Sequence, residues 1–307
     1  MSLMLMAVQG LNGLQLGILL FLIAAGLTLV FGVMDFINLA HGVQYMAGAY
    51  FAVTAWLLTG NFAFAIFLAL VASLLFGLVL QWLVFRHLVG RDHLDQVLAT
   101  FGVILTLNEA ARMIWGPTPL SLPVPETLSG SIVVMPGLLY PVYRIGIIAA
   151  GLAVALLLWL IIARTRFGML VRAGATHAPI VSALGVNIDR LFSLVFGFGA
   201  MLAGFAGMMA APILAVEPNM GDNLLILAFV VIVIGGIGSV RGAFVAALVI
   251  GFVDTMGRSF ATDLAKLFLS PSAANDVGPA LASMLIYILM AVVLFFRPAG
   301  LFPARGT

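Results

Sequence analysis

Asp35, Asn38 and His41 stand in the stretch GVMDFINLAHGVQYMAGAY, residues 32–50, between two uncharged apolar runs at 11–31 and 42–85. Lipid solvates such side chains poorly, so a cluster at this junction needs a partner, water or a function. Two uses fit the residue types. One is the polar lining of a route for a hydrophilic solute, formed by Asp35, Asn38, His41 and Gln44, or a hinge between the flanking spans. The other is a short water-facing loop whose polar groups cap the second span. Only ten residues, 32–41, separate the runs, which holds the cluster at or within a membrane interface. Gly32, Gly42 and Gly48 permit tight turns and close backbone approach.

Covalent chemistry finds little support elsewhere. The chain has no cysteine, which excludes disulfides and thiolate chemistry. His87, His93 and His177 lack metal-ligand spacing, no nucleophile–base pair is recognisable, and the phosphate loop G-x-x-x-x-G-K-[ST] is absent. The loop RTRFGMLVRAGATHAPIVSALGVNIDRL, residues 164–191, pairs Arg164, Arg166 and Arg172 with a run of small and apolar residues from Ala173 to Leu184. Gly185 is placed to end a helix, Asn187 and Asp189 to cap the next, and Pro179 argues against one unbroken helix. A short amphipathic helix over 173–185, lying outside the bilayer, would serve as a docking knob; an ordinary basic loop is the alternative. In GGIGSVRG, Gly235, Gly236, Gly238 and Gly242 allow irregular backbone and Arg241 adds a buried or interfacial charge. This fits a re-entrant element beside a solute path, or a tight turn with Gly238 and Gly242 serving helix packing. Gly197, Gly199, Gly204 and Gly207, with Ala200, Ala203 and Ala206, read as a close-packing face. Glu109 and Arg112 are spaced to pair at i, i+3.

The elements that position these groups follow from composition. The 307 residues are 64% hydrophobic and 8% charged, with mean hydropathy +1.25; soluble domains carry about 25% charged residues. The chain is expected to be an all-α integral membrane protein, a polytopic bundle of about 8–9 transmembrane helices in one domain over 1–307. Uncharged segments place nine spans near 11–31, 42–58, 62–85, 96–114, 144–163, 190–214, 222–238, 242–258 and 279–296, the seventh and eighth being either two crossings or one re-entrant hairpin. A turn at Thr59-Gly60-Asn61 separates the second and third. The apolar runs lack the alternation of a β-barrel wall. The first residues lack a basic leader region, so the first span is expected to be retained. Nine alternating spans put Arg86, Arg91, Arg164, Arg166, Arg172, Arg190, Arg297 and Arg305 on one side, against Arg112, Arg144, Arg258 and Lys266 on the other. The richer side is expected to be cytoplasmic, with the N-terminus outside and the C-terminus inside. The net charge of +2 and pI near 9.3 reflect this orientation signal, and no nucleic-acid partner is expected.

Four stretches carry a resemblance. GVMDFINLAHG with YMAGAY resembles the first signature of the branched-chain amino acid ABC transporter permeases. RAGATHAPIVSALGVNIDRL resembles that family's ATPase-contacting segment, and VVIVIGGIGSVRGAFVAALVIGFVD its late glycine-rich signature. FFRPAGLF is similar to its RP-x-G-L-F close. The matches are collinear over about 10–302 and look more like the first of the two paired permeases. Where the family often has an acidic residue after His-Gly, this chain has Val43 and Gln44, a departure that bears on the solute. The resemblance implies a non-catalytic transport subunit in a bacterial inner membrane, for branched-chain or other amino acids, urea or short amides. Its implied partners are a second homologous permease, two ATP-binding subunits, a periplasmic solute-binding protein and membrane lipid. No cofactor is implied in this chain, with ATP and Mg in the ATPase subunits. The coupling loop would lie at 167–189, including Arg172, Ala173, Gly174, Ala175, Leu184 and Gly185. A proton-coupled secondary transporter using Asp35 or His41 is the alternative, and it predicts uptake by this chain alone. A membrane enzyme has no supporting constellation.

Overall fold

Each of the nine apolar segments forms one helix, and a tenth helix lies in the arginine-rich loop. The computed structural model describes residues 3–302; Arg305 and both extreme ends lie outside the described residues. In chain order the helices are α1 (Leu3–Met34), α2 (His41–Thr59), α3 (Phe62–Leu83), α4 (His93–Trp115), α5 (Val142–Arg164), α6 (Arg166–Ala183), α7 (Ile188–Ala210), α8 (Asp222–Gly235), α9 (Val240–Ala265) and α10 (Pro271–Phe296). Among the described residues, α1, α3, α4, α5, α7, α9 and α10 are long and apolar enough to cross a membrane. The more polar α2 and the short α8 complete the nine segments and lie largely inside the bundle. The 14 residues of α8 rise about 21 Å, short of a hydrocarbon core of about 30 Å. The seventh segment therefore makes a partial crossing, while α9 makes a full one.

Helix ends follow local chemistry. Asn61 caps α3 by accepting from the Phe64 N–H at 3.0 Å, as the Thr59-Gly60-Asn61 turn predicts. Asn187, rather than Asp189, caps α7 by accepting from Arg190 N–H at 2.9 Å. α10 begins eight residues before the expected start at 279: Ser270 caps it and Pro271 occupies its first turn, where a missing N–H is harmless. Sequence reading missed a hairpin in the 115–143 loop, β1 (Ser131–Met135) against β2 (Leu138–Pro141). Its signal was Pro136-Gly137 between two β-branched and aromatic runs, with Gly137 at φ +83°.

Packing is set by small residues. α1 is enclosed from Ile18 to Ala25 and lies along α9 and α7, while α2 lies along α7 and α3. The glycine face expected on α7 meets α1, α2 and α3: Gly199 abuts Gly26, Gly204 abuts Gly48, and Gly197 abuts Leu78. α10 buries only Ala274, Gly278, Ala282 and Ile286, a four-residue ridge against α9. Its remaining faces carry exposed Leu281, Met284, Ile288 and Phe295, suited to lipid or to another membrane helix.

The two ends of the bundle separate as the arginine count requires. At the arginine-rich end Gly32 abuts Gly238, Leu301 N–H donates to Ile234 O at 2.8 Å, and Arg172 donates to the Ile162 carbonyl. At the other end Leu120 bridges Val216, Arg144 donates to Asn12 Oδ1 at 2.6 Å, and Trp115 stacks on Tyr50 with ring centroids 4.6 Å apart. Glu109 and Arg112 pair there at 3.3 Å, both half-exposed. A bifurcated bond, in which Arg258 Nε donates to both Asp254 carboxylate oxygens at 2.9 Å, went unanticipated. Single cysteines at Ala175 and Thr127, both exposed, are expected to react with impermeant reagents from opposite faces of a vesicle. Labelling of both from one face would overturn this topology.

Candidate functional site

The residues of the 35–44 cluster separate by depth. Asp35 is exposed and left-handed at φ +47°, a conformation aspartate tolerates better than most side chains. Its N–H closes α1 on Phe31 O at 2.9 Å, so it shapes the exit from the helix. Asn38 and His41 are fully buried and Gln44 is 1% exposed. The water-facing loop is therefore not what these three residues form. Nor do they cap α2, whose N-cap is Ala40 and accepts no side-chain bond.

His41 is held by α1. Its Nε2 lies 3.1 Å from the carbonyl of Ile23; a carbonyl only accepts, so this nitrogen carries the proton. Ile23 lies eleven residues before the end of α1 at Met34, which is about 16 Å of helix. Residues 35–40 thus climb back into the bundle, and α2 starts at hydrocarbon depth. There Gly42 meets Gly221, the residue preceding α8: a Cβ on Gly42 would lie 2.7 Å from Gly221 O. The N-terminal ends of α2 and α8 abut, and neither receives a side-chain cap.

Polar groups collect around this junction without partners. Both amide atoms of Asn38, both of Gln44, and His41 Nδ1 make no hydrogen bond within normal geometry, nor do the Tyr45 and Tyr50 hydroxyls. Gln44 adjoins the His41 ring one turn away. Such groups cost about 1–3 kcal/mol each when left unsatisfied.

The residues that sequence reading missed are on α4. This helix is inverted relative to a soluble one, exposing Leu94, Leu98, Phe101, Leu105 and Met113 while burying Gln96, Thr100 and Asn108. The four-residue spacing of 96, 100, 104 and 108 was the available signal. Gln96 accepts from Ile37 N–H at 3.0 Å and donates to Arg91 O at 3.0 Å, tying the climbing segment to the 88–91 loop. Below it a cavity of about 260 Å³ is lined by Asp35, Arg91, Asp92, His93 and Gln96. At the upper end of the stripe Asn108 adjoins Asp222 in the first turn of α8. The polar stripe thus runs from the arginine-rich end to the α2–α8 junction.

The remaining predicted groups lie apart. Gly235, Gly236, Gly238 and Gly242 form the tight α8–α9 turn, with Gly236 at φ +103° and Gly238 at φ +77°. Packing falls to Gly235 against Gly242, and to Gly238 against Gly32, rather than to Gly238 with Gly242. Arg241 is exposed, not buried. The docking helix is longer than 173–185, starting at Arg166, and His177 breaks it at φ −150°, two residues before Pro179. Arg172, Ala175, Leu184 and Gly185 are exposed, Ala173 is half-buried and Gly174 is buried against Leu191. Gly185 at φ +90° closes α6: its N–H donates to Ser182 O at 2.9 Å and Val186 N–H to Val181 O at 3.3 Å. Among the described residues no cluster of His, Cys, Asp and Glu could hold a metal ion.

Comparison with known proteins agrees with this architecture. Residues 10–294 match the family described as branched-chain amino acid transport system, permease component. The high-affinity branched-chain amino acid transport system permease protein BraD of Pseudomonas aeruginosa is 29% identical, covering 95% of this chain and 94% of its own length. LivH of Escherichia coli K12, described in the same terms, is 28% identical over 94% of this chain and 95% of its own. The fructose import permease FrcC of Rhizobium meliloti is 29% identical over only 40% of this chain. No solved structure gives a significant match. With its polytopic bundle and a family match over nearly its whole length, this chain belongs to the branched-chain amino acid transport permease family, as a membrane-embedded permease component.

Proposed function

We propose that this chain is one half of the membrane pathway of an ATP-driven importer for amino acids of the branched-chain type. The proposed setting is a bacterial inner membrane, with a second homologous permease, two ATP-binding subunits and a periplasmic solute-binding protein. The observation that carries the reading is the α4 stripe Gln96–Thr100–Asn108 leading to buried, unpartnered Asn38 and Gln44 inside a chain of this family. Buried amides without partners inside a membrane bundle need water or solute to satisfy them, which favours a polar route over packing at Asn38 and Gln44. ATP and its Mg would be handled by the partner subunits.

α6 is the proposed contact for those subunits. It lies at the arginine-rich end, beside a small cavity shared by Thr28 of α1, Val171 and Arg172 of α6, and Gly238 of the α8–α9 turn. Leu184 is 79% and Ile180 57% exposed, an apolar surface outside the spans that needs a cover. Closure of the motors would push α6, and through it the ends of α1 and α8. Leucine at Gly185 is expected to cut co-purified ATPase severalfold. The position has open space around it, so only the left-handed backbone is opposed, by about 1–2 kcal/mol. A complex recovered in normal yield with solute-stimulated ATPase would remove α6 from the docking role.

The reading is tested by reconstituting the chain with a second permease, two ATPases and a solute-binding protein from the same source. ATP-dependent uptake of L-leucine is expected, with none by this chain alone. Uptake by this chain alone without ATP would favour the secondary-transporter alternative and overturn the proposal.

A further inference from the structure

We propose that α4 is a hinged wall of the solute route, held over α2 by two positioning residues, Gln96 at its arginine-rich end and Trp115 at the other, whose contacts release one at a time. This deepens the reading above and rests on it. The wall is thinly attached. α4 packs chiefly on α2 and buries only the line Gln96, Thr100, Ile104, Asn108 and Ala111. Most of that line is polar, so little apolar area holds the helix down. Thr100 donates to its own helix, at Gln96 O, over 2.8 Å, and Asn108 Oδ1 makes no hydrogen bond. The bonds joining α4 to the α2 side sit at its ends. Gln96 accepts from Ile37 N–H, just before α2. Trp115, the last residue of α4, donates from Nε1 to Thr54 Oγ1 at 2.8 Å. Its ring stacks on Tyr50 and lies 6.4 Å from Phe51, all within one turn of α2. Asn108, seven residues before Trp115, adjoins Asp222 of α8 and belongs to the outer half of the wall.

Joints flank the helix. Gly90 at φ +79° and Gly116 at φ +87° stand just outside α4. Gly90 has open space around it, and Gly116 has only Thr118 Oγ1 nearby. A few residues at the ends of an element can absorb the backbone change of a hinge. Beyond each joint the chain is anchored. Phe85 is fully buried, with the rings of Phe36 and Phe196 centred 5.5 and 4.8 Å away. Leu120 is fixed to Val216 by backbone bonds of 2.9 and 2.8 Å. Between the joints Ile104 is the apolar pivot, about 12 Å from Gln96 and about 16 Å from Trp115 along the helix. A tilt of about 15° on this pivot moves Gln96 by about 3 Å. That breaks its bond to Ile37 and admits water through the cavity it lines. Releasing Trp115 does the same for the outer half, while Gln96 still holds.

The test uses the natural absence of cysteine. Thr100→Cys and, separately, Asn108→Cys are placed in the full transporter in membrane vesicles of known sidedness, without nucleotide. An impermeant trimethylammonium methanethiosulfonate is applied to one face at a time, and the mass of this chain reports labelling. Adding Gln96→Leu is expected to raise the rate at Thr100→Cys about tenfold from the arginine-rich face, the effect of one lost buried hydrogen bond. Asn108→Cys should keep its rate. Adding Trp115→Ala should raise Asn108→Cys about tenfold from the opposite face and leave Thr100→Cys alone. Thr54→Val, which removes the indole's acceptor and little volume, should give part of the Trp115→Ala effect. If Gln96→Leu does not assemble, Gln96→Met, unbranched and adaptable in packing, replaces it. A residue that merely supports the fold would raise both reporters together. Equal rises at both positions, or no rise in either variant, would overturn the hinged wall. Labelling needs no turnover, so its outcome is separate from the importer reading, which falls instead if the parent complex takes up no leucine.

Discussion

Leucine at Gly48 is expected to leave almost no folded protein to extract from the membrane. Gly48 lies where α2 crosses α7, and a Cβ there would collide with the Cα, carbonyl carbon and oxygen of Gly204. Overpacking costs about 1–3 kcal/mol where side chains can give way and more where the obstacle is backbone. Here both helices are enclosed, α2 by α3 and α7, and α7 by α1, α2 and α3, so neither can retreat. Ser73 also occupies the space beside Gly204. Gly102→Ala is the matched control. It lies on the exposed face of α4 with nothing within contact distance, and alanine is better than glycine within a helix by about 1 kcal/mol. Monodisperse yield after detergent extraction, with thermal unfolding of whatever survives, measures both. The expected order is Gly102→Ala at or above the parent and Gly48→Leu close to zero; a well-folded Gly48→Leu protein would mean that α2 and α7 do not cross at this point.

The contrast between those glycines shows which structural facts a sequence displays. Spans were legible because lipid demands continuous apolar runs, and every expected segment became a helix. The Thr59-Gly60-Asn61 turn, the Asn187 cap and the helix stop at Gly185 were legible because capping is decided within four residues. The depth of His41 was not. Nothing local in DFINLA says that residues 35–40 climb beside α1 rather than cross the interface, since that depends on Ile23, eighteen residues earlier, accepting the histidine bond. The α4 stripe was hidden differently. Summed hydropathy treats Gln96, Thr100 and Asn108 as dilution of an apolar run, whereas their common spacing puts them on one inward face. The same averaging made 242–258 look like the limits of a span that in fact extends over Val240–Ala265, with Asp254, Arg258 and Asp263 on it.

His41 and its neighbours differ in what removing them should do. His41 bonds Ile23 and fills the space beside Gly26, so leucine there should lower thermal stability as well as uptake. The side-chain amides of Asn38 and Gln44 make no hydrogen bond within normal geometry, and the sign of their effect on stability is reversed. An apolar side chain of similar size removes a buried amide whose lost hydration is uncompensated, a relief of about 1–3 kcal/mol each. Asn38→Leu combined with Gln44→Leu is therefore expected to melt at or above the parent temperature and to assemble in full yield. The same protein should import L-leucine at least about tenfold more slowly, because the solute route loses the donors that replace water around a charged headgroup. A purely structural role predicts the opposite pairing, lower stability with proportionate loss of uptake. Measuring both in the same membranes separates the two, and import within twofold of the parent would take Asn38 and Gln44 off the solute route while leaving the fold around His41 unchanged.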